Sequence, residues 1–217
     1  MEKQIVWLID ENQEQIETYA RILRKKLPET IIINTLYPPY RELQDYTSLL
    51  NAPNTACIII DQRLKDTGVA KYYGIELAQF LRSINTKLPI YILTNYPHDT
   101  DAFSEGEWSV EDIIPKDDLA KLSSKKAKSI IARLLRRIYG YSDFLEEREN
   151  KYRDLLRKTL TGELSPKDEK ELKAIEFDRT SSTLAEELPR LKELQEILDE
   201  HKRIVEQFNL GGEDEEK

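Results

Sequence analysis

Ile5-Val6-Trp7-Leu8-Ile9-Asp10-Glu11 and Cys57-Ile58-Ile59-Ile60-Asp61 decide how this chain folds. Each is an apolar run without polar alternation, closed at its C-terminal end by carboxylates. Ile90-Tyr91-Ile92-Leu93-Thr94 repeats the pattern with a hydroxyl, and Ile113-Ile114-Pro115-Lys116 with an ammonium. A short run that is apolar throughout fits a strand buried on both faces, as in a parallel sheet covered by helices on both sides. In such a sheet the C-terminal strand ends share one edge, and ligands bind there. The pattern predicts that three carboxylates, a hydroxyl and an ammonium meet in one crevice.

Between these runs the spacing turns helical. Ile16, Tyr19, Ala20, Ile22, Leu23 and Leu27 predict a first helix over 13–27, stopped by Pro28. Ile31 to Leu36 reads as a second strand closed by Pro38-Pro39, and Tyr40 to Leu50 as a second helix. A long loop leads from Asp61 to Gly74, where Ile75, Leu77, Ala78, Phe80, Leu81 and Ile84 predict a third helix. The stretch 95–112 carries a weak helical signal, which suits either a short irregular helix or a loop. Five strands alternating with helices give an α/β fold, a doubly wound parallel sheet in the order 2-1-3-4-5.

From Asp118 onward everything reads as helix. Ile130, Ile131, Leu134, Leu135 and Ile138 form one apolar face, extended by Phe144, Leu145, Tyr152, Leu155 and Leu156. Gly162 is a stop, and Ser165-Pro166 with Asp168 a new start with cap and first-turn proline. Thr183 with Glu186 resembles a capping box, and Leu184, Leu188, Leu191, Leu194, Leu198, Val205 and Phe208 continue a stripe that Pro189 interrupts. The expected division is an α/β domain over 1–140 and an all-α extension over 141–217, a helical hairpin or bundle with a disordered acidic tail.

The bulk numbers bound the function. The chain has 217 residues, of which 39% are hydrophobic and 34% charged, enough for a core and a solvated surface. No apolar stretch approaches the roughly 18 residues of a membrane span. The N-terminus runs straight into a strand, with no signal peptide read there, so a cytoplasmic location is the expectation. The single cysteine, Cys57, sits in a strand and reads as a core residue. Residues 1–140 hold 19 acidic and 19 basic side chains, so the net charge of −8 falls entirely on 141–217. That acidic half is a poor match for a phosphate backbone, so neither nucleic acid nor membrane is an expected partner. The basic cluster Lys125, Lys126, Lys128, Arg133, Arg136 and Arg137 reads as a solvated face or a partner for acidic groups. Trp7 and Trp108 read as core packing, His201 as a packing residue on its stripe, and His98 as solvent-facing.

Adjacent acids after one strand and a third after another repel unless a cation sits between them. Mg²⁺ takes carboxylate oxygens and retains waters for an incoming phosphate, which makes it the expected cofactor. A lysine and a threonine hydroxyl suit phosphoryl oxygens, and a carboxylate can itself attack phosphorus to form an acyl phosphate.

Residues 1 to about 140 resemble the receiver domain of two-component response regulators. The likeness rests on Leu8-Ile9-Asp10-Glu11, Ile59-Ile60-Asp61, Ile92-Leu93-Thr94 and Ile113-Ile114-Pro115-Lys116, with Gly74-Ile75-Glu76-Leu77 opening the third helix. The five-stranded sheet is then of flavodoxin-like type. The resemblance implies that Asp61 accepts a phosphoryl group from a histidine kinase or phosphotransfer protein. It implies that Glu11, Asp61 and the backbone carbonyl of Arg63 hold Mg²⁺, with Asp10 assisting. Lys116 would pair with the phosphoryl group, and Thr94 would turn toward it.

The chain departs from that family where Asp117 replaces a proline after Lys116, where Asn95 and Tyr96 follow Thr94, and where Ile113 occupies the position of the switch aromatic. The loop after Asp61 is also several residues longer. These departures imply that the phosphorylation chemistry is kept while the usual threonine–aromatic output coupling is not. The expected role is a stand-alone relay or phosphate sink, enzymatic at most toward its own aspartate, whose C-terminal helices pair with a second copy or an effector. The alternative is a phosphorylation-independent pseudo-receiver scaffold. An aspartate-based hydrolase of the haloacid dehalogenase type is disfavoured, because Asp10 is followed by Glu11-Asn12 rather than by an aspartate two places on.

Overall fold

The computed structural model describes residues 3–99, 103, 106–121, 123–177 and 179–180. The stripe from Leu184 to Phe208, His201 and the acidic tail lie outside the described residues. Five parallel strands, β1 (Gln4–Ile9), β2 (Ile31–Leu36), β3 (Thr55–Asp61), β4 (Ile90–Thr94) and β5 (Asp112–Pro115), form one sheet in the order β2-β1-β3-β4-β5. The helices are α1 (Gln13–Lys26), α2 (Thr47–Asn51), α3 (Gly74–Ile84), α4 (Lys116–Ala120) and α5 (Lys125–Thr161). Residues 166–177, here α6, are helical as well.

The unbroken apolar runs divide by parity, as the pleat requires. Val6, Leu8, Cys57, Ile59, Tyr91 and Leu93 point to the face covered by α1 and the first turns of α5. Ile9, Ile58, Ile60, Ile90 and Ile92 point to the opposite face, covered by α2 and α3. Every residue of β3 and β4 is buried. Both central strands therefore end at residues that the chain can only expose into the crevice at the sheet edge.

Local signals place the helices. Asn12 caps α1, its side-chain oxygen accepting from the Gln15 amide at 3.1 Å. Gly162, at φ +75°, stops α5 in the left-handed conformation, its N–H donating to the carbonyls of Lys158 and Thr159. Ser165 and Asp168 form a reciprocal cap for α6, the Ser165 Oγ accepting from the Asp168 amide at 3.2 Å and Asp168 Oδ2 accepting from the Ser165 amide at 3.3 Å.

Two expectations change. The helix read over 40–50 is a 3₁₀ turn at Leu43–Tyr46 running into the short α2. Tyr40 cannot begin a helix, because its N–H donates to the Tyr46 hydroxyl and its carbonyl accepts from the Tyr72 hydroxyl. Those three tyrosines pack together, with ring centroids 4.8 and 6.1 Å apart, and tie the long β3–α3 loop to the segment after β2. Trp108, read as core, is 71% exposed. It lies in a 3₁₀ turn, Glu107–Ser109, whose inward position is taken by Ser109. Trp7 is partly buried against the α3-side core, and Cys57 is fully buried.

α5 is one continuous helix of 37 residues, about 55 Å long at the usual rise. Ile130, Leu134 and Ile138 seal the α1 side of the sheet, and Tyr141 and Phe144 reach the other core. Beyond them Tyr152 and Leu155 pack on Leu164, Leu172 and Ile175 to form a small separate core with α6. Leu145 and Leu156, read as part of the apolar face, are exposed, because the hairpin contact uses the 148–152–155 side of the helix.

Two glycines make opposite demands. A Cβ on Gly74 would lie 2.2 Å from the Asp61 carbonyl oxygen, whereas one on Gly140 would meet nothing within 4 Å. Gly74→Ala is expected to lower stability by about 2 kcal/mol or more through backbone displacement. Gly140→Ala should raise it by about 0.5–1 kcal/mol through helix propensity. Urea midpoints of the two variants check the pair.

Candidate functional site

The residues singled out at the strand ends converge. Asp10 follows β1, Asp61 ends β3, Thr94 ends β4, and Lys116 follows β5 as the first residue of α4. All four are buried, and Glu11 is half-buried. One carboxylate oxygen from each of Asp10, Glu11 and Asp61 lies within 4.8 Å of the others, the spacing of ligands around a single cation.

Lys116 is the positive charge inside this cluster. Its Nζ stands 2.6 Å from Asp61 Oδ1 and 2.9 Å from Asp10 Oδ2, and it donates as well to the Gln15 side-chain oxygen from α1. Three acceptors thus satisfy all three of its protons. The Tyr19 ring, 5.5 Å away, closes the remaining side. Burial alone would lower the lysine's proton affinity. The charges of Asp61 and Asp10 and their hydrogen bonds outweigh it and hold the ammonium above its usual range.

The other oxygens are aimed by the backbone. Asp10 Oδ1 accepts from the Asn12 amide at 2.8 Å, and Asp61 Oδ2 accepts from the Arg63 amide at 2.5 Å. Burial pushes the Asp10 carboxyl upward, with Lys116 opposing and the charge of Asp61 reinforcing. Glu11 is pushed further, to about 8, first by burial and then by the charges of Asp61 and Asp10. Glu11 Oε2 is buried with no hydrogen-bond partner among the described residues. An orphaned carboxylate oxygen beside two more carboxylates is a donor set that could hold a hard divalent cation. The Arg63 carbonyl accepts from the Asp66 amide at 2.9 Å, which leaves it a second lone pair.

Thr94 Oγ accepts from the Tyr96 amide at 3.0 Å, which fixes the hydroxyl oxygen at the end of β4. Tyr96 is exposed, and the Arg63 guanidinium stacks over its ring at 3.9 Å. The two side chains make an aromatic–cation pair between the ends of β3 and β4. Beside them opens a cavity of about 380 Å³ lined by Gln62, Tyr73 and Thr94 among others.

Two residues that the sequence does not mark also shape the site. Gln15 supplies the third acceptor to Lys116. Gln62 receives the Ile75 amide on its side chain at 3.0 Å and the Gly74 amide on its carbonyl at 2.9 Å, which pins the start of α3 against the end of β3. Glutamine on a helix or after a strand is ordinary surface composition, so only geometry reveals either.

Removing the lysine strands two buried carboxylates. Lys116→Met is expected to cost about 3 kcal/mol. Adding Asp61→Asn should return part of that loss, so that the double-variant cycle in urea shows strong coupling between the two positions.

No family model matches the chain, and no curated protein is similar to it in sequence. Solved structures similar to it include response-regulator receivers. The response regulator TrrA of Thermotoga maritima, in complex with Mg²⁺ and beryllium fluoride, is 17% identical over 60% of this chain and 98% of its own, with a TM-score of 0.46. The receiver domain of nitrogen regulatory protein C, in its apo form, is 20% identical over 65% and 99%, with a TM-score of 0.47. The non-phosphorylated HemR receiver domain of Leptospira biflexa is 19% identical over 63% and 94%, with a TM-score of 0.43. The strand order of this chain defines its fold independently, and that fold is the flavodoxin-like one to which receiver domains also belong.

Proposed function

We propose that the chain is a signalling phosphoacceptor, in which Asp61 takes a phosphoryl group from the phosphohistidine of a histidine kinase or phosphotransfer protein. The observation that carries this reading is the clustering of Asp10, Glu11, Asp61 and Lys116 around one point at the sheet edge. An Asp61 carboxylate oxygen attacks phosphorus, the P–N bond breaks, and its electron pair leaves with the imidazole. The product is an aspartyl phosphate. Glu11 and Asp61, with the Arg63 carbonyl and Asp10 assisting, would hold a Mg²⁺ ion, which would supply charge neutralisation for the transferring group.

Lys116 already touches the acceptor oxygen of Asp61, so it is in place to pair with a phosphoryl oxygen when Asp61 changes partner. Thr94 offers a hydroxyl from the end of β4. The chain's own chemistry ends with hydrolysis of that acyl phosphate, and its role is to relay or store the group. Partners at the output end are an effector or a second copy met through α5 and α6.

Acetyl phosphate with Mg²⁺ is expected to add one phosphoryl group to the wild type, read by intact mass. Asp61→Asn should stay unmodified, and chelation of the metal should stop the reaction. An unmodified wild type would favour the scaffold reading, in which the helices alone bind a partner.

Arg63 and Tyr96 stack on one another and line the same cavity as Thr94, so hydrolysis of the aspartyl phosphate is expected to be slow, with a half-life of minutes or longer. Arg63→Ala with Tyr96→Ala should shorten it several-fold in a phosphate-release assay. A half-life of seconds in the Mg²⁺-loaded wild type would refute this protective role.

A further inference from the structure

At the other end of β4 and β5 from Asp61, where the strands begin, α5 crosses the sheet over a cavity of about 720 Å³. That volume falls within the usual range for small-molecule sites. Phe144 is the partly exposed ring on its wall, stacked on the largely buried Tyr141 with centroids 6.3 Å apart and planes 26° apart, and Tyr91 lies buried at its floor. Lys87, Arg133, Arg136 and Arg137 supply four cations, against the two acids Glu111 and Asp112.

The acids are already spoken for. Asp112 pairs with Arg133 at 2.5 Å, and Glu111 with Arg137 at 3.0 Å and Arg82 at 3.5 Å. Lys87 and Arg136 meet no carboxylate among the described residues. In a chain of net charge −8 the cavity is a local reversal of sign with two cations left over. Surface lysines and arginines are ordinary; two without a counter-charge, facing a ring-lined hollow, fit an anion that carries a flat group.

Gly140 adds an independent observation. It stands mid-helix on the cavity wall, where glycine costs about 1 kcal/mol against alanine. No atom crowds it, so close packing within the protein does not demand it. A larger side chain there would project into open space at the cavity wall.

We propose that this cavity binds a small organic polyanion with an aromatic ring, of the chemical class of a nucleoside phosphate, with the anion on Lys87 and Arg136 and the ring against Phe144. The site is independent of the phosphoacceptor reading, since it shares no residue with the Asp61 cluster. It lies where α5 leaves the sheet, so an occupant would bridge the strand starts and the helix.

The test uses the full chain in EDTA at physiological salt, with ADP as probe in isothermal calorimetry. Adenosine and inorganic phosphate serve as arms carrying only the ring or only the charge. ADP is expected to bind, with either fragment weaker by about tenfold or more. Arg136→Glu should weaken ADP by about tenfold or more. Gly140→Leu should abolish binding while far-ultraviolet circular dichroism and the urea midpoint show the chain still folded. Asp61→Asn should leave ADP binding unchanged, which separates this site from the metal cluster. The proposal is overturned if ADP does not bind, if phosphate binds as tightly as ADP, if Gly140→Leu has no effect, or if Asp61→Asn removes binding.

Discussion

One ammonium organises the C-terminal edge of the sheet. Lys116 is as deeply buried as the aliphatic residues of the sheet, yet it carries a full charge, and two carboxylates and an amide oxygen account for every proton it offers. Taking such a group out of water costs several kcal/mol unless the partners are well placed. The partners come from β1, β3 and α1, while the lysine comes from the end of β5. Strand order places these ends side by side: β1 and β3 are neighbours, and β5 lies one strand beyond β4. The ion cluster therefore couples elements that are far apart in sequence, and the sheet cannot fray at this edge without stranding a charge.

The cluster also holds more negative charge than one lysine balances. Glu11, with an unpartnered buried oxygen and a carboxyl pushed to about 8, is where the excess shows. A divalent cation would relieve it, and so would protonation. A site that is incomplete in charge is primed for a ligand that completes it. Structural ion pairs, by contrast, are normally closed, as Arg82, Glu111 and Arg137 are among themselves.

Much of this was legible in the sequence because the physics is strong there. Uninterrupted apolar runs ending in Asp10, Asp61 and Thr94 leave few alternatives to central parallel strands, and the polar residue at each end has only the sheet edge to occupy. Gly162 and Ser165 marked the hairpin turn through backbone conformation and capping. The 40–50 segment was misread because its helical spacing was real. Two tyrosine hydroxyls, one of them from a loop some thirty residues away, claim the backbone of Tyr40 instead, and no local window contains that information. Trp108 failed for a related reason: its size argues for burial, but the inward position of its turn is filled by Ser109. Gln15 and Gln62 were invisible because glutamine is commonplace, and only their partners make them matter.

The unbroken length of α5 has a mechanical consequence. Its root is clamped by Ile130, Leu134 and Ile138 and then by Tyr141 and Phe144, while its far third packs, among the described residues, on α6, Leu164 and Arg179. A helix of this kind behaves as a stiff rod fixed at one end, so small tilts grow with distance from the pivot. A rotation of about 10° at Phe144 would sweep the Thr161 end through about 4 Å, most of a helical turn's rise.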